Sequence, residues 1–529
     1  MNSLITYIKG LFRKEKEEIE SQDIDISDLS LFYELKNDKE FKEANKQVVL
    51  DLDLNDVFYK VDRANSIIGK QYLYNHIISQ KVSKKDIDII EKNVDYLIAS
   101  EKKKNALEKI LQKRESTKLL QLPHLFIGSA FPLDKYIKLY YLLSFSAVLS
   151  LILSFFNPSF LLLFIFIAIT NTAIHYYNKR KLFVFLDSIS QLETLYNISL
   201  KIEKTAIKLI EQDDTRESIR ALSKIRHWLR PMSIGNVNET NANELMAVFL
   251  APFELLKGFF LIELIAMHKV LTGIETQKEH ISILYKSIGK KDLYLSILKL
   301  REQMPYFCKP KSTMDNKTLV CEAVIHPLVE DCIPNSISLN QQSLIITGSN
   351  MSGKTTFLRT IAINNILGNT LNTCFAKKFE VSRMQTLTSI RVKDDLLSSK
   401  SFFFEEVSLI KTLIDACSKE ERYLFIIDEL FKGTNTRERI AASKSILHYL
   451  NKTHHIILFS THDLELIELL DDDFERGYFT ESVDKGEISF NYTLNIGKSY
   501  DTNAIKILEL NNYPQEIIDD AYRNIKEME

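Results

Sequence analysis

The sequence predicts a multidomain chain: an α-helical region interrupted by a two-helix transmembrane hairpin, then a C-terminal α/β domain built around a phosphate-binding loop, or P-loop. Three observations predict it. Two long apolar runs lie back to back between residues 136 and 177. A glycine-rich G-x-x-x-x-G-K-T stretch follows a short apolar run at residue 344. From about Val320 onward, short β-rich runs alternate with helical patterns, whereas the preceding chain is helix-rich with few breakers.

At 529 residues the length allows several domains. The composition, 45% hydrophobic and 26% charged, is that of an ordinary globular protein. A net charge of −2 excludes a global field drawing the chain onto nucleic acid or anionic lipid, so any such binding uses local patches. The five cysteines show no C-x-x-C spacing and read as reduced thiols of a cytosolic compartment.

Residues 1–29 form an amphipathic segment, with Leu4, Ile5, Ile8, Leu11 and Phe12 among Lys9, Arg13 and Lys14. It has no long apolar core or small-residue cleavage site and is not a secretory signal. A surface helix and a first helix packed on the body both fit it. Residues 30–134 are polar and helical, with a basic run of Lys102, Lys103, Lys104, Lys109, Lys113, Arg114 and Lys118. That run is either a solvated helix face or a contact for phosphates or anionic lipid.

Residues 135–181 are the predicted hairpin. Tyr136 to Phe156 carries one charge, Lys138; Asn157-Pro158 makes a turn; Phe160 to Tyr177 carries none. Each run approaches the ~20 residues a helix needs to cross a bilayer core. Lys135 and Lys138 before the runs and Lys179, Arg180 and Lys181 after them place both flanks on the cytoplasmic side. The expected location is the cell membrane, multi-pass, with the α/β domain cytoplasmic. Residues 182–319 are again helical. Within them the apolar stretch Leu245 to Val270 is interrupted by Glu254, Lys257, Glu263 and His268, and reads as a long amphipathic or buried helix outside the membrane.

Residues 320–529 hold the candidate site. Gly348-Ser349-Asn350-Met351-Ser352-Gly353-Lys354-Thr355-Thr356 sits between a strand, Leu344 to Thr347, and a helix. That context suits a nucleoside triphosphate, with glycines turning backbone N–H groups toward phosphates at a helix N-terminus. Lys354 reaches the β- and γ-phosphates, and the Thr355 hydroxyl ligates Mg²⁺. About seventy-five residues on, the buried-strand signal Tyr423 to Ile427 ends in Asp428-Glu429. Asp428 is assigned to the metal and Glu429 to the attacking water. A further strand, His455 to Phe459, leads into Ser460-Thr461-His462-Asp463, and His462 can approach a γ-phosphate or its water.

The segments TGSNMSGKTT, DDLLSSKSFFFEEVS, IIDELFKGTNT and STHDLEL together resemble the MutS family of DNA mismatch-repair ATPases. Weaker echoes are IHPLV, IPNSI and IGKSYDTNAIKIL, and LDLNDVFYKVDRANSIIGKQYLYNHI is similar to the start of that family's helical core. The resemblance implies an ABC-type ATPase domain that takes ATP and Mg²⁺, preceded by core and lever helices. It implies a homodimer that closes each ATP site across its interface. Asn350, Gly353, Lys354, Thr355 and Thr356 would cradle the phosphates, and Ser401 would reach the partner's γ-phosphate. Gly433, Thr434 and Thr436 would lie at the interface, and His462 would act as the switch histidine. It also implies double-stranded or branched DNA as a partner and a link to mismatch repair. The core-like part begins near residue 30, so the mismatch-reading and connector domains are expected to be absent. The competing expectation is an ABC-type motor that acts on a membrane or protein partner without DNA.

Overall fold

Local sequence signals set where the helices begin. The computed structural model describes residues 24–36, 39–112, 116–127, 136–205, 207, 209–210, 215–233, 252, 255–313, 317–349, 351–391, 402–418, 421–452, 454–470, 474–484, 487–497, 505, 508–509 and 513–528. Six helices open it: α1 (Ile26–Lys36), α2 (Lys39–Asp51), α3 (Leu54–Val61), α4 (Ile67–Ser79), α5 (Lys84–Ala99) and α6 (Glu101–Leu111). Ser83 and Asp86 form a reciprocal capping box at the start of α5. Ser66 caps α4 by accepting from the Gly69 N–H.

The start of α4 is also capped from a distant part of the chain. Buried Asp292 accepts from the backbone N–H groups of Asn65 and Ser66, at 2.9 and 2.7 Å, and from the Ser66 hydroxyl at 2.6 Å. Burial raises its pKa, and these donors oppose the shift. Asp292 lies on α11 (Ile262–Gln303), a helix of 42 residues. The two helices approach so closely there that a Cβ on Gly69 would lie 2.0 Å from the Asp292 carboxylate.

Between these elements come α7 (Ile137–Leu153), α8 (Ser159–Ser190), α9 (Leu192–Lys204) and α10 (Thr215–Ser233). Helices α7 and α8 pack on each other as the predicted hairpin. Their outer faces expose Phe145, Ile152, Leu162, Phe166 and Ile169, and at the tip Phe155 and Phe156 are 86% and 85% exposed. Among the described residues, one helix, over Ser159–Asn178, is long and apolar enough to cross a membrane. The first apolar run gives a shorter helix than its composition predicts. Phe155 and Phe156 tighten into turns by donating to Ile152 and Leu153, and Asn157-Pro158 completes the reversal. The amphipathic 1–23 stretch, Lys113, Arg114, Lys135 and the side chains of Lys179, Arg180 and Lys181 lie outside the described residues.

The expected single helix over 245–270 is interrupted. Leu261 takes a left-handed conformation (φ 50°), and α11 starts after it. Leu261 and Leu264 pack with Tyr140 of the hairpin, and Asn171 donates to the Phe259 carbonyl at 2.7 Å.

The remaining chain is α/β. Its strands are β1 (Lys311–Ser312), β2 (Thr318–Val324), β3 (Asn335–Asn340), β4 (Ser343–Thr347), β5 (Lys378–Val381), β6 (Gln385–Ser389), β7 (Tyr423–Asp428), β8 (Ile456–Ser460), β9 (Phe474–Tyr478), β10 (Glu481–Asp484), β11 (Glu487–Phe490) and β12 (Asn495–Ile496). Its helices are α12 (Lys354–Leu371), α13 (Phe402–Ala416), α14 (Thr436–Asn451), α15 (Leu464–Leu469) and α16 (Gln515–Met528). A six-stranded sheet in the order β12-β9-β4-β8-β7-β6 is parallel except for β12 at its edge. Strands β4 and β8 are wholly buried, which is why they read as unbroken apolar runs. A second sheet, β1-β5-β2-β3, flanks it.

The protein is mostly helical with a C-terminal α/β region, and one continuous core joins the two. Polar contacts seal the junction. Asp51, at the end of α2, accepts from the Ile390 and Arg391 N–H groups at 3.0 and 2.9 Å. Gln80 brackets the backbone of Thr386, accepting at 2.8 Å and donating at 3.2 Å.

Two expected outcomes follow from this packing. Gly69→Ala should lower stability by about 3 kcal/mol, because overpacking would displace a buried carboxylate from its donors; an unchanged denaturant midpoint would remove Asp292 from its capping role. Second, buried His455 and His326 accept backbone N–H bonds through Nδ1, and burial lowers both to a pKa of about 4. The unfolded chain therefore binds more protons below about pH 6.5, and stability should fall from there toward pH 4. His455→Asn, which keeps an acceptor but cannot titrate, should flatten that slope in thermal melts between pH 7 and 4.5; an unaltered slope would contradict the assignment.

Candidate functional site

Three neighbouring parallel strands deliver the predicted site residues to one edge of the sheet. Ile346 of β4 pairs with Ser460 of β8, and Ser460 pairs with Asp428 of β7. The loops that follow these strands therefore emerge side by side at the carboxyl ends, where open α/β sheets bind their ligands.

The glycine loop leaves β4 through backbone that only glycine adopts comfortably. Gly348 has φ 140° and Gly353 φ 107°. A Cβ on Gly348 would stand 2.6 Å from the Phe479 carbonyl oxygen. Gly353 directly precedes the first turn of α12, whose free N–H groups point back into the loop. Met351 is 83% exposed at the loop crest, whereas Ser352 is buried and donates to the Ser349 carbonyl at 2.8 Å. The Ser349 hydroxyl donates to Glu481 of β10.

Lys354 is buried and folds back across the loop, donating to the Gly348 and Ser349 carbonyls at 2.8 Å each. Burial lowers its pKa, and Asp428, Glu429 and Glu481 pull it back up. The next residue, Thr355, donates its hydroxyl to Asp428 Oδ2 at 2.8 Å. The other oxygen, Oδ1, accepts from the Ser460 hydroxyl. A hydroxyl and a carboxylate held together beside a lysine form a hard-oxygen donor set suited to Mg²⁺.

Glu429 follows with φ 61°, its N–H donating to the Ser460 carbonyl at 2.9 Å. Its carboxylate meets His462 Nε2 at 3.2 Å and Lys432 Nζ at 3.3 Å. His462 lies 3.4 Å from Lys354 Nζ. Burial first, then the Lys354 charge, lowers the His462 pKa, while Glu429 opposes them, so the imidazole is largely neutral at pH 7. Arg439 holds Asp463, just beyond His462, through two bonds of 2.9 and 2.7 Å.

The structure thus brings together Gly348, Ser349, Ser352, Gly353, Lys354, Thr355, Asp428, Glu429 and His462. Thr356 lies on the first turn of α12 with its carbonyl accepting from Thr360. Gly433, Thr434 and Thr436 lie after β7, where Asn435 caps α14. Asn350 and Ser401 lie outside the described residues.

Two residues without an assigned role in the sequence reading belong to the same place. Ser460 supports the Asp428 carboxylate. Glu406 of α13 is buried; its Oε1 accepts from the Lys432 N–H at 3.1 Å, and its Oε2 has no hydrogen-bond partner among the described residues. With Asp428, Glu429 and Lys432 it lines one cleft. The available signal was a second glutamate after Phe402-Phe403-Phe404 on an otherwise apolar helix face.

Residues 344–529 match the family described as MutS domain V. The chain is 32% identical over 260 residues to a DNA mismatch repair protein MutS of Staphylococcus haemolyticus, covering 47% of this chain and 29% of that protein. The corresponding protein of Staphylococcus epidermidis is 30% identical over 266 residues, covering 48% of this chain and 30% of that protein. That of Staphylococcus aureus is 30% identical over 256 residues, covering 46% and 29%. The chain thus spans about 30% of the length of the curated relatives it matches. The domain V match begins one residue into β4 and carries the cluster around Lys354, so the α/β region is similar to domain V of the MutS proteins.

Proposed function

We propose that this protein is a MutS-type ATPase of the ABC class, anchored at a membrane, that hydrolyses ATP with Mg²⁺ to drive a clamp-like change in its helical region. The observation that carries the reading is the contact between Thr355 and Asp428, flanked by Lys354, Glu429 and His462.

The residues present fit the nucleotide and the ion. Gly348 and Gly353, at φ 140° and 107°, let the loop turn its N–H groups toward a phosphate, and a Cβ on Gly348 would collide with the Phe479 carbonyl. Lys354 would exchange its two carbonyl partners for phosphate oxygens, with its charge kept by the neighbouring carboxylates. Thr355 and Asp428 would hold Mg²⁺, which when bound neutralises charge on the β- and γ-phosphates. Glu429 would orient the attacking water and accept its proton, and neutral His462 would fix the glutamate's position. Closure of a homodimer would bring Ser401 of one chain to the nucleotide of the other, with Gly433, Thr434 and Thr436 at the contact. Closure excludes unpositioned water and aims donors at the developing charge.

The names of the relatives support DNA as the substrate and mismatch repair or DNA processing as the role. The exposed apolar hairpin supports anchoring through residues 136–177, with the α/β region on the cytoplasmic side. The same hairpin favours a second reading, an ATPase motor that acts on a membrane or protein partner without DNA.

Lys354→Ala should weaken ATP binding at least about tenfold, by deletion of a charge-assisted contact. Glu429→Ala should still bind ATP but turn it over about 10²–10⁴-fold more slowly; wild-type turnover would remove Glu429 from its role. ATPase assays on detergent-solubilised protein, with duplex, mismatched and branched DNA, separate the two readings: stimulation supports the first, and a flat response favours the second. Replacing residues 136–177 by a short linker should move the protein from the membrane fraction to the soluble one. Recovery of the intact chain as soluble protein would refute the anchor.

A further inference from the structure

Cys308 and Cys374 face each other across an isolated antiparallel bridge. The two residues exchange both backbone hydrogen bonds, Cys308 N–H to the Cys374 carbonyl at 3.1 Å and Cys374 N–H to the Cys308 carbonyl at 2.9 Å. An antiparallel pair bonded in both directions sets its Cα atoms about 5.5 Å apart. Disulfides favour that same separation, about 5.5–6 Å. The Cys374 thiol donates to the Asn364 carbonyl at 3.4 Å, and it lies near enough to Cys308 to shift that thiol's ionisation. We propose that Cys308 and Cys374 are a modification site, a reversible disulfide formed by exchange with a low-molecular-weight disulfide such as oxidised glutathione.

The two thiols are unlike, and the difference assigns their roles. Cys308 is half-buried, and the neighbouring Cys374 side chain holds it below the ordinary thiol range. Cys374 is fully buried, and burial together with Cys308 pushes it well above that range. Cys308 is therefore the attacking thiolate and Cys374 the resolving thiol. In the first step the Cys308 thiolate attacks one sulfur of the oxidised glutathione. The S–S bond breaks, and one glutathione leaves as thiolate and takes up the proton that Cys308 lost. In the second step Cys374 loses its proton, attacks Cys308 Sγ and displaces the second glutathione. Two protein thiols lose two electrons and two protons, and one small disulfide becomes two thiols. The mixed disulfide also removes the Cys308 charge that opposed ionisation of Cys374.

The site is placed where a bond would have consequences. Cys308 follows α11 by a few residues, and Cys374 follows α12, the helix that begins at Lys354. The disulfide would tie the exit of the long helix to the exit of the glycine-loop helix, beside the contacts of Arg301 with the Asn372 carbonyl at 2.9 Å and the Thr373 hydroxyl at 3.0 Å. Cys321 is also buried close by, and burial pushes its thiol up to about 12, so it remains a thiol.

The test is full-length protein in detergent, treated with oxidised glutathione, quenched with acid and alkylated after denaturation. Two of the five thiols should become unreactive, digestion should yield a peptide linking Cys308 to Cys374, and dithiothreitol should restore both. Cys374→Ser should stop at a stable glutathione adduct on Cys308. Cys308→Ser should leave Cys374 unmodified. Five reactive thiols after treatment, a bridge that includes Cys321, or a persistent adduct on wild-type Cys308 with Cys374 free would each overturn the proposal.

Discussion

The register of three parallel strands is the constraint on which the site depends. Ser460 is paired with Ile346 on one side and Asp428 on the other, so the ends of β4, β8 and β7 lie level. A slip of one residue would turn every side chain to the opposite face. The strands are buried, so such a slip would also bury the wrong faces. Core packing thereby holds the hydroxyl of Thr355 within reach of Asp428, though the two are 73 residues apart in sequence. Further bonds lock the level ends: Thr461 N–H donates to Ile346 and Phe479 N–H to Thr347, at 3.0 Å each. Glu429 and Phe431, both at positive φ, then sit in backbone that neighbouring strands over-determine.

A second constraint ties this edge to the helical region. Asp53 pairs with Arg359 on α12 at 3.1 Å and with Arg391 at the end of β6 at 2.7 Å. Asp51, two residues earlier, holds the Ile390 and Arg391 N–H groups. Two aspartates in one turn between α2 and α3 thus grip both the helix that begins at Lys354 and the strand end that precedes residue 392. Asp51 is buried, and burial raises its pKa against these donors. A partly desolvated carboxylate with several N–H donors is held in one geometry, because losing any donor leaves it less well solvated than in water.

How much of this could be read beforehand follows from the range of the interactions. Buried parallel strands are continuous apolar runs, so β4, β7 and β8 are recognisable, and their ends are too because glycine, acidic or hydroxyl and histidine residues mark them. The chemistry of Gly348 to Thr355, Asp428-Glu429 and His462 was legible for the same reason: each group lies at the end of a buried strand or in the turn that follows it. The strand order was not legible, nor the support of Asp428 by Ser460, the place of Glu406 in the cleft, or the grip of Asp51 on Ile390. Those depend on which segments become neighbours, and no local pattern carries that. The hairpin shows the same division. Composition marked both apolar runs, but turn geometry at Phe155 and Phe156 decided that α7 stops at Leu153. At Leu261 a positive φ broke a run that composition reads as one helix.

The helix α11 touches each of these parts in turn. At 1.5 Å per residue its 42 residues span about 63 Å. It carries no proline, and its single start and end are both fastened. At the start, Glu263 lies 3.4 Å from His175 of α8, both buried, and Leu264 packs on Tyr140 of α7. At the end, Arg301 bonds the backbone where α12 terminates and pairs with Glu91 of α5. Midway, Asp292 caps α4, and the Tyr285 hydroxyl donates to Gln71 at 2.6 Å. Separating any of these buried polar partners would leave a desolvated group uncompensated, which costs more than the contact itself contributes. The same continuous helix thus touches the end of α12, the start of α4 and the apolar hairpin.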